Sequence, residues 1–346
     1  MKIIYSVEIL RFLTALSIVI FHYKVFFLPY NPLSLINFDD VKNELPFFYY
    51  LNLLYLKGSY GVLVFFAISG FVFAYVYLQQ KNITGKSFFI YRFARLYPLH
   101  ILTLLLISIL QFISWNKFDT FLIVQENNDF YHLLLNILFI SGWGFEKGYS
   151  FNAPIWSVSL ELIIYFLFFI LLVKLKKNYL ITTILTLIFL TLLSKFKIGN
   201  IQILDCGRLF FSGVLLYLIY ININAKKFFF FIFFIIFLYS FIGNFKIFLF
   251  CPSLIAILLV FENLIIKFKL GNLFSTLGNT TYAIYLMHTP YQLFILLIFY
   301  TFNISTEIFI NLYFFIFYIV FLIFISWLTF LFFEKPINYF IRKKFL

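Results

Sequence analysis

The chain has 346 residues, of which 64% are hydrophobic, 25% aromatic and 11% charged, with a mean hydropathy of +1.03. A soluble domain carries about 25% charged residues and a core of this size cannot bury so much apolar surface, so a soluble enzyme is excluded, and the wealth of aromatic and branched residues excludes a disordered scaffold. The excess of 26 basic over 13 acidic side chains lies in small clusters between apolar runs, which reports membrane orientation and contact with anionic lipid rather than nucleic-acid binding.

Two cysteines, Cys206 and Cys251, cannot make a disulfide framework or a Cys-based zinc site. His22, His100, His132 and His288 lack any local metal-ligand spacing, so no metal is expected. What remains is an all-α integral membrane protein. Apolar runs near the roughly 20 residues that a bilayer requires predict ten spans, near 7–27, 58–79, 97–115, 155–173, 179–194, 207–223, 228–243, 247–263, 281–300 and 309–332, within a single domain over 1–346. With N- and C-termini in the cytoplasm, sixteen of the 26 basic residues, among them Lys2, Lys81, Lys176 and Lys177, fall inside. Nine acidic residues, among them Asp39, Asp40, Glu126, Asp129 and Glu146, fall outside. The apolar segment 131–141 would invert every later loop if it crossed, so it is predicted to be an interfacial or re-entrant helix within an outer loop over 116–154. Glu8 and Arg11 interrupt the first run and bulky Tyr23, Val25 and Phe26 follow it, so it does not read as a cleavable signal peptide. No long polar stretch suggests an appended soluble domain, and the two halves show no repeat.

Only five of the 26 basic residues are arginine: Arg11, Arg92, Arg95, Arg208 and Arg342. In a chain that otherwise uses lysine, these mark positions where a planar fork of donors is needed. The first span holds Glu8, Arg11 and His22. Eleven residues separate Arg11 from His22, a rotation of ~1100° that is about 20° from a whole number of turns, so they share a face about 16 Å long. Ionisable groups at such depth suggest a functional site; a structural ion pair with a headgroup-level histidine also fits. In the second span, GVLVFFAISGFVF, the small residues Gly61, Ser69 and Gly70 permit close helix approach. The inner loop SFFIYRFARLYPLH places Arg92 and Arg95 on one side of a helical turn, able to hold phosphates by bidentate contacts or to act as a stop-transfer cluster. Span four opens NAPIWSVSLELIIY; Glu161 lies inside it, where a carboxylate must be paired or neutral, and Trp156 lies at the interface. Arg208 begins span six. Span nine, TYAIYLMHTPY, buries His288 beside Pro290, as an interhelical or a functional histidine. His22, Arg11 and Glu161 are the catalytic candidates, with Trp156, Arg208, His288 and Ser69 as candidates for substrate contact. The outer segment adds Tyr131, Trp143, Tyr149 and Glu146, groups that can stack on and hydrogen-bond sugars.

Seven pieces in order, EILRFLTALSIVIFHY (8–23), GVLVFFAISGF (61–71), YRFARLYP (91–98), WSVSLELIIY (156–165), RLFFSGVLLY (208–217), LGNTTYAIYLMHTP (277–290) and FEKP (333–336), resemble the acyltransferase 3 family of polytopic membrane O-acyltransferases. The resemblance implies about ten membrane helices in a bacterial inner membrane, here in the stand-alone form without an extracytoplasmic esterase-like domain. It implies transfer of an acyl group, usually acetyl from acetyl-CoA, to a hydroxyl of a cell-envelope polysaccharide or glycolipid. Residue by residue, His22 matches the family's essential first-helix histidine, Arg11 its paired arginine, and Arg92 and Arg95 the pair assigned to the acyl-CoA donor. The chemistry agrees: a sugar hydroxyl is a poor nucleophile at neutral pH, and an imidazole is the natural base for its proton. Donor arginines on the inner side and His22 toward the outer side require either a pantetheine arm of roughly 15–20 Å reaching between helices or a transient acyl-histidine. The competing class is a transporter or flippase for an envelope precursor, with Glu, Arg and His as a proton relay, but the inverted repeats and paired broken helices of such folds are not seen.

Overall fold

The computed structural model describes residues 3–27, 42–80, 83–124, 127–175, 178–242 and 245–346. Lys2, Asp39, Asp40, Lys81, Glu126, Lys176 and Lys177, all invoked as markers of orientation, lie outside the described residues, as does position 243 at the end of a predicted span.

Among the described residues the chain is helical without strands. In chain order the helices are α1 (Tyr5–Tyr23), α2 (Phe48–Lys57), α3 (Gly61–Tyr77), α4 (Gly85–Phe118), α5 (Phe130–Ile137), α6 (Ile155–Phe168), α7 (Tyr179–Lys195), α8 (Ile201–Asn222), α9 (Lys226–Ser240), α10 (Ile247–Leu259), α11 (Glu262–Lys267), α12 (Gly271–Thr301), α13 (Leu312–Thr329) and α14 (Lys335–Phe345). This is what hydrocarbon dictates, since an isolated helix satisfies its own backbone there. Asparagine marks three of the starts: Asn178, Asn200 and Asn311 accept the N–H groups of Ile181 at 3.2 Å, Gln202 at 2.8 Å and Tyr313 at 2.8 Å.

The chain is an all-α integral membrane protein. Eight stretches are long and apolar enough to cross a bilayer: Tyr5–Phe27, Phe48–Tyr77, Gly85–Phe118, Ile155–Lys174, Ile201–Asn222, Ile247–Lys267, Gly271–Thr301 and Leu312–Phe345. Each contains or overlaps one predicted span. The other two predicted spans coincide with α7 and α9, of 17 and 15 residues. At 1.5 Å per residue these measure about 25 and 22 Å, so they cross hydrocarbon of about 30 Å only with local thinning. In segment 131–141, α5 has eight residues, shorter than a bilayer crossing requires, and is followed by a short turn at Ser141–Trp143. One expectation is corrected. Arg92 and Arg95 do not lie in a loop but within α4, which begins at Gly85; charge interrupts the hydropathy of this stretch without interrupting its helical geometry.

The chain divides into two compact units. The first comprises Met1–Thr14, Tyr60–Gly85 and Leu160–Asn279; the second comprises Ala15–Ser59, Lys86–Ser159 and Thr280–Leu346. In the first, α3 and α8 approach at backbone distance. A Cβ at Gly70 would overlap the Phe210 carbonyl and one at Gly213 the Ala67 carbonyl, the close contact for which small residues are used in membranes. Glu262 receives the first N–H groups of α1, from Tyr5 at 3.1 Å and Ser6 at 2.8 Å, placing an anion at the positive helix end.

The second unit holds Pro290 inside the continuous helix α12. Pro290 has no N–H, so the carbonyl four residues earlier, that of Leu286, loses its helical donor. Fully buried Asn152 replaces it, its Nδ2 donating to the Leu286 oxygen at 3.0 Å. Nearby, Tyr23 donates to the Phe309 carbonyl at 2.9 Å and packs edge-on against Tyr318 and Phe26.

Two outcomes follow from this architecture. Asn152→Leu leaves a buried carbonyl without a donor and lowers stability by about 1–3 kcal/mol. Adding Pro290→Ala restores the backbone donor and recovers most of the loss, a non-additivity that thermal unfolding in detergent measures. For topology, ten crossings put single cysteines at Lys147 and Lys197 on the side opposite one at Lys343, whereas eight crossings move Lys197 to the side of Lys343. Impermeant thiol labelling decides this, because native Cys206 and Cys251 are fully buried.

Candidate active site

His22 lies in the last turn of α1 and is partly exposed, while His288 on α12 is fully buried. Their rings stack nearly parallel, with centroids 5.0 Å apart and planes inclined by 15°. His22 Nδ1 lies 3.1 Å from His288 Nε2, and His288 Nδ1 lies 2.7 Å from the carbonyl oxygen of Tyr285. Gln292, one turn beyond His288 on the same face, donates its Nε2 to the His22 carbonyl at 2.9 Å. That carbonyl belongs to a helix end, where backbone acceptors lack helical partners. Tyr285 anchors the arrangement through its hydroxyl, 2.9 Å from the Pro154 carbonyl and 2.8 Å from Ser157 Oγ at the start of α6. Two histidines separated by 266 positions thus form one hydrogen-bonded pair.

A basic cluster occupies another part of the same unit. Arg95 forms an ion pair with Glu334, which is only 2% exposed. Glu334 ends the π-helical turn Phe330–Glu334 that joins α13 to α14. Arg92 lies one turn before Arg95. From α14, Arg342 places its guanidinium 4.8 Å from the ring centre of Tyr91, and Lys335, Lys343 and Lys344 of that helix are exposed. Tyr282 ties α12 to α4 by donating to the Leu96 carbonyl at 2.7 Å. The fork of Arg95 is therefore engaged by a carboxylate. Arg92, Arg342 and the exposed lysines of α14 add further positive charge to the same cluster. Glu334 belongs to the FEKP segment, and its signal in the sequence is an acidic side chain among basic neighbours.

In the first unit the polar candidates are each paired. Glu161 accepts from Ser69 Oγ at 3.1 Å and from the Tyr165 hydroxyl, so two of the predicted site residues meet. Arg11 binds Glu8 at 2.8 Å, and Glu8 packs where Gly278 leaves room for it. Arg208 binds Asp205 at 2.5 Å and stacks 3.8 Å above the Phe248 ring. Trp156, in the second unit, is partly exposed and lends its carbonyl to Ser159 Oγ at 2.7 Å.

The segment between α4 and α6 is held by its own polar groups. Trp143 gives its indole N–H to the Ser159 carbonyl at 2.9 Å, and Tyr131 gives its hydroxyl to that of Phe145 at 3.0 Å. Tyr149 and Phe130 remain largely exposed. Burial pushes the Glu146 carboxyl above the usual carboxylate range, against a hydrogen bond from Ser150 that lowers it. Asp129 moves the other way, because the His132 backbone N–H it caps favours the ionised form. Among the described residues no three His, Cys, Asp or Glu side chains gather as a metal site.

A family profile described as an acyltransferase domain matches residues 4–331. The chain belongs to the acyltransferase 3 family. Acyltransferase MdmB of Streptomyces mycarofaciens is 32% identical over 113 residues, covering 32% of this chain and 27% of the relative; the match thus spans about a quarter of that relative's length. No solved structure matches. Within the acyltransferase 3 match lie His22, Arg92, Arg95, Glu161 and His288, whereas Glu334 and Arg342 lie beyond its end.

The ion pair at the edge of the family match is separable by mutation. Arg95→Leu leaves the Glu334 carboxylate buried without its partner and lowers stability by about 3 kcal/mol or more. Arg95→Leu with Glu334→Leu recovers most of that loss, as thermal unfolding of the two variants will show.

Proposed function

We propose that the chain is a membrane O-acyltransferase that moves an acetyl group from acetyl-CoA to a hydroxyl of a cell-envelope polysaccharide or glycolipid. The observation that carries this reading is His22: a partly exposed imidazole, matched in the family motif and held against a second, buried imidazole. The family match over residues 4–331 and the acyltransferase named among the relatives support the reaction class.

In this reading His22 is the general base. It takes the proton of the acceptor hydroxyl as that oxygen forms its bond to the thioester carbonyl carbon; the carbon–sulfur bond then breaks, and the proton passes to the departing thiolate. Such a positioned base contributes about 10²–10⁴-fold. Arg92 and Arg342 meet the CoA phosphates, with α14 lysines adding long-range attraction, while Arg95 acts through its pair with Glu334. Exposed Tyr149 and Phe130 offer aromatic faces to an acceptor arriving at the α4–α6 segment, on the extracytoplasmic side of the bacterial inner membrane.

His22→Ala should lower transfer from acetyl-CoA by at least about 100-fold in vesicles that contain the protein at wild-type level. Arg92→Lys should raise the KM for acetyl-CoA while keeping charge, because the bidentate fork is lost. Mass spectrometry of envelope glycans from a deletion strain and its complement identifies acceptor and acyl group together. Unchanged glycans with altered lipids would move the acceptor to a lipid, and full activity of His22→Ala would remove the base from this histidine.

A further inference from the structure

His288 is fully buried, and its Nδ1 lies 2.7 Å from the Tyr285 carbonyl oxygen. A carbonyl only accepts, so Nδ1 carries a proton. Among the described residues no carboxylate is hydrogen-bonded to this ring, and a second proton would make it an uncompensated buried cation. The ring is therefore neutral, and its Nε2 is an acceptor. The atom that faces Nε2 is His22 Nδ1, at 3.1 Å, and this nitrogen must donate. The proton of neutral His22 is thus on Nδ1, and its Nε2 carries the lone pair.

We infer that His288 is a positioning residue that fixes the tautomer of His22, making Nε2 the atom that accepts the hydroxyl proton; this rests on the reading of His22 as the base. Without an acceptor at Nδ1, a neutral His22 can hold its proton on Nε2 and present a donor to the hydroxyl, which cannot deprotonate it. The stack, with planes inclined by 15°, opposes rotation of the His22 ring, and Gln292 fixes the backbone that carries it by its 2.9 Å bond to the His22 carbonyl. The chain of groups runs in one direction, from the Tyr285 carbonyl through His288 to His22, and each link is set by the one before it. Outer groups that orient an imidazole in this manner act on its basicity and geometry without touching substrate.

The tautomer can be read directly, independent of turnover. In the full-length protein labelled with ¹⁵N-histidine and placed in nanodiscs, the signals of His22 are those lost in His22→Ala. They should show a protonated Nδ1 and an unprotonated Nε2. His288→Phe keeps a ring but has no acceptor; the proton should move at least in part to Nε2, and kcat should fall by about 100-fold with the KM for acetyl-CoA within about two-fold. His288→Gln offers an amide oxygen near the position of Nε2 and should restore the Nδ1 proton and most of the lost kcat, which a role in packing alone does not explain. Wild-type His22 protonated on Nε2, or His288→Phe with wild-type tautomer and kcat, overturns the inference. A wild-type protein that transfers no acyl group overturns the functional reading instead, and the nitrogen signals still decide the tautomer.

Discussion

Inside hydrocarbon a polar group has no water to turn to, so each one must be matched by another part of the same chain. The second unit shows how far this requirement organises structure around two turns of α12. Pro290 removes one N–H, and Asn152 is drawn in to serve the Leu286 carbonyl. His288 serves the Tyr285 carbonyl with one nitrogen and His22 with the other. Gln292 closes the set at the carbonyl of His22. A missing backbone donor inside a continuous helix thus lies among the groups that hold the candidate base.

Carboxylates follow the same rule by different routes. Glu262 is held by the N-terminal amides of α1, Glu334 by Arg95, and Glu161 by two hydroxyl donors. The routes differ in what they tolerate. An ion pair fixes charge on both partners, and losing either strands the other. A carboxylate surrounded by hydroxyls keeps its hydrogen bonds in either protonation state, because Ser and Tyr donate or accept. Glu161 meets Ser69 and Tyr165, whereas Glu334, paired with Arg95 at the start of α14, serves as a joint between α4 and α14.

Much of this was legible in the sequence, and the parts that were not share a cause. Apolar runs located every long helix, because burial in lipid requires a continuous stretch of about 20 residues. The boundaries of α4 were missed, because Arg92 and Arg95 lower hydropathy where the backbone stays helical. His22 stood out as an ionisable group in an apolar run, and His288 as another, but nothing local joins residues 266 positions apart. Asn152 could have been sought by asking which donor replaces the N–H of Pro290. Its position, however, is a property of tertiary packing rather than of either segment. Arg11 pairs within its own helix face with Glu8, as the i,i+3 spacing allows, whereas His22 finds its partner on another helix, in His288.

The division between an accessible and a buried imidazole has a physical logic. A base must be reachable, so His22 cannot be enclosed, and a reachable side chain at a helix end is free to change rotamer and tautomer. Order has to be imposed by a partner that is itself immobile. A carboxylate would serve, but in hydrocarbon it would bring a charge that needs its own compensation. A neutral imidazole whose own proton is committed to a backbone carbonyl provides direction without charge, and Tyr285, tied through its hydroxyl to Pro154 and Ser157, keeps that carbonyl in place. In a chain with only 13 acidic residues, orientation by hydrogen bonds alone is the arrangement least costly to bury.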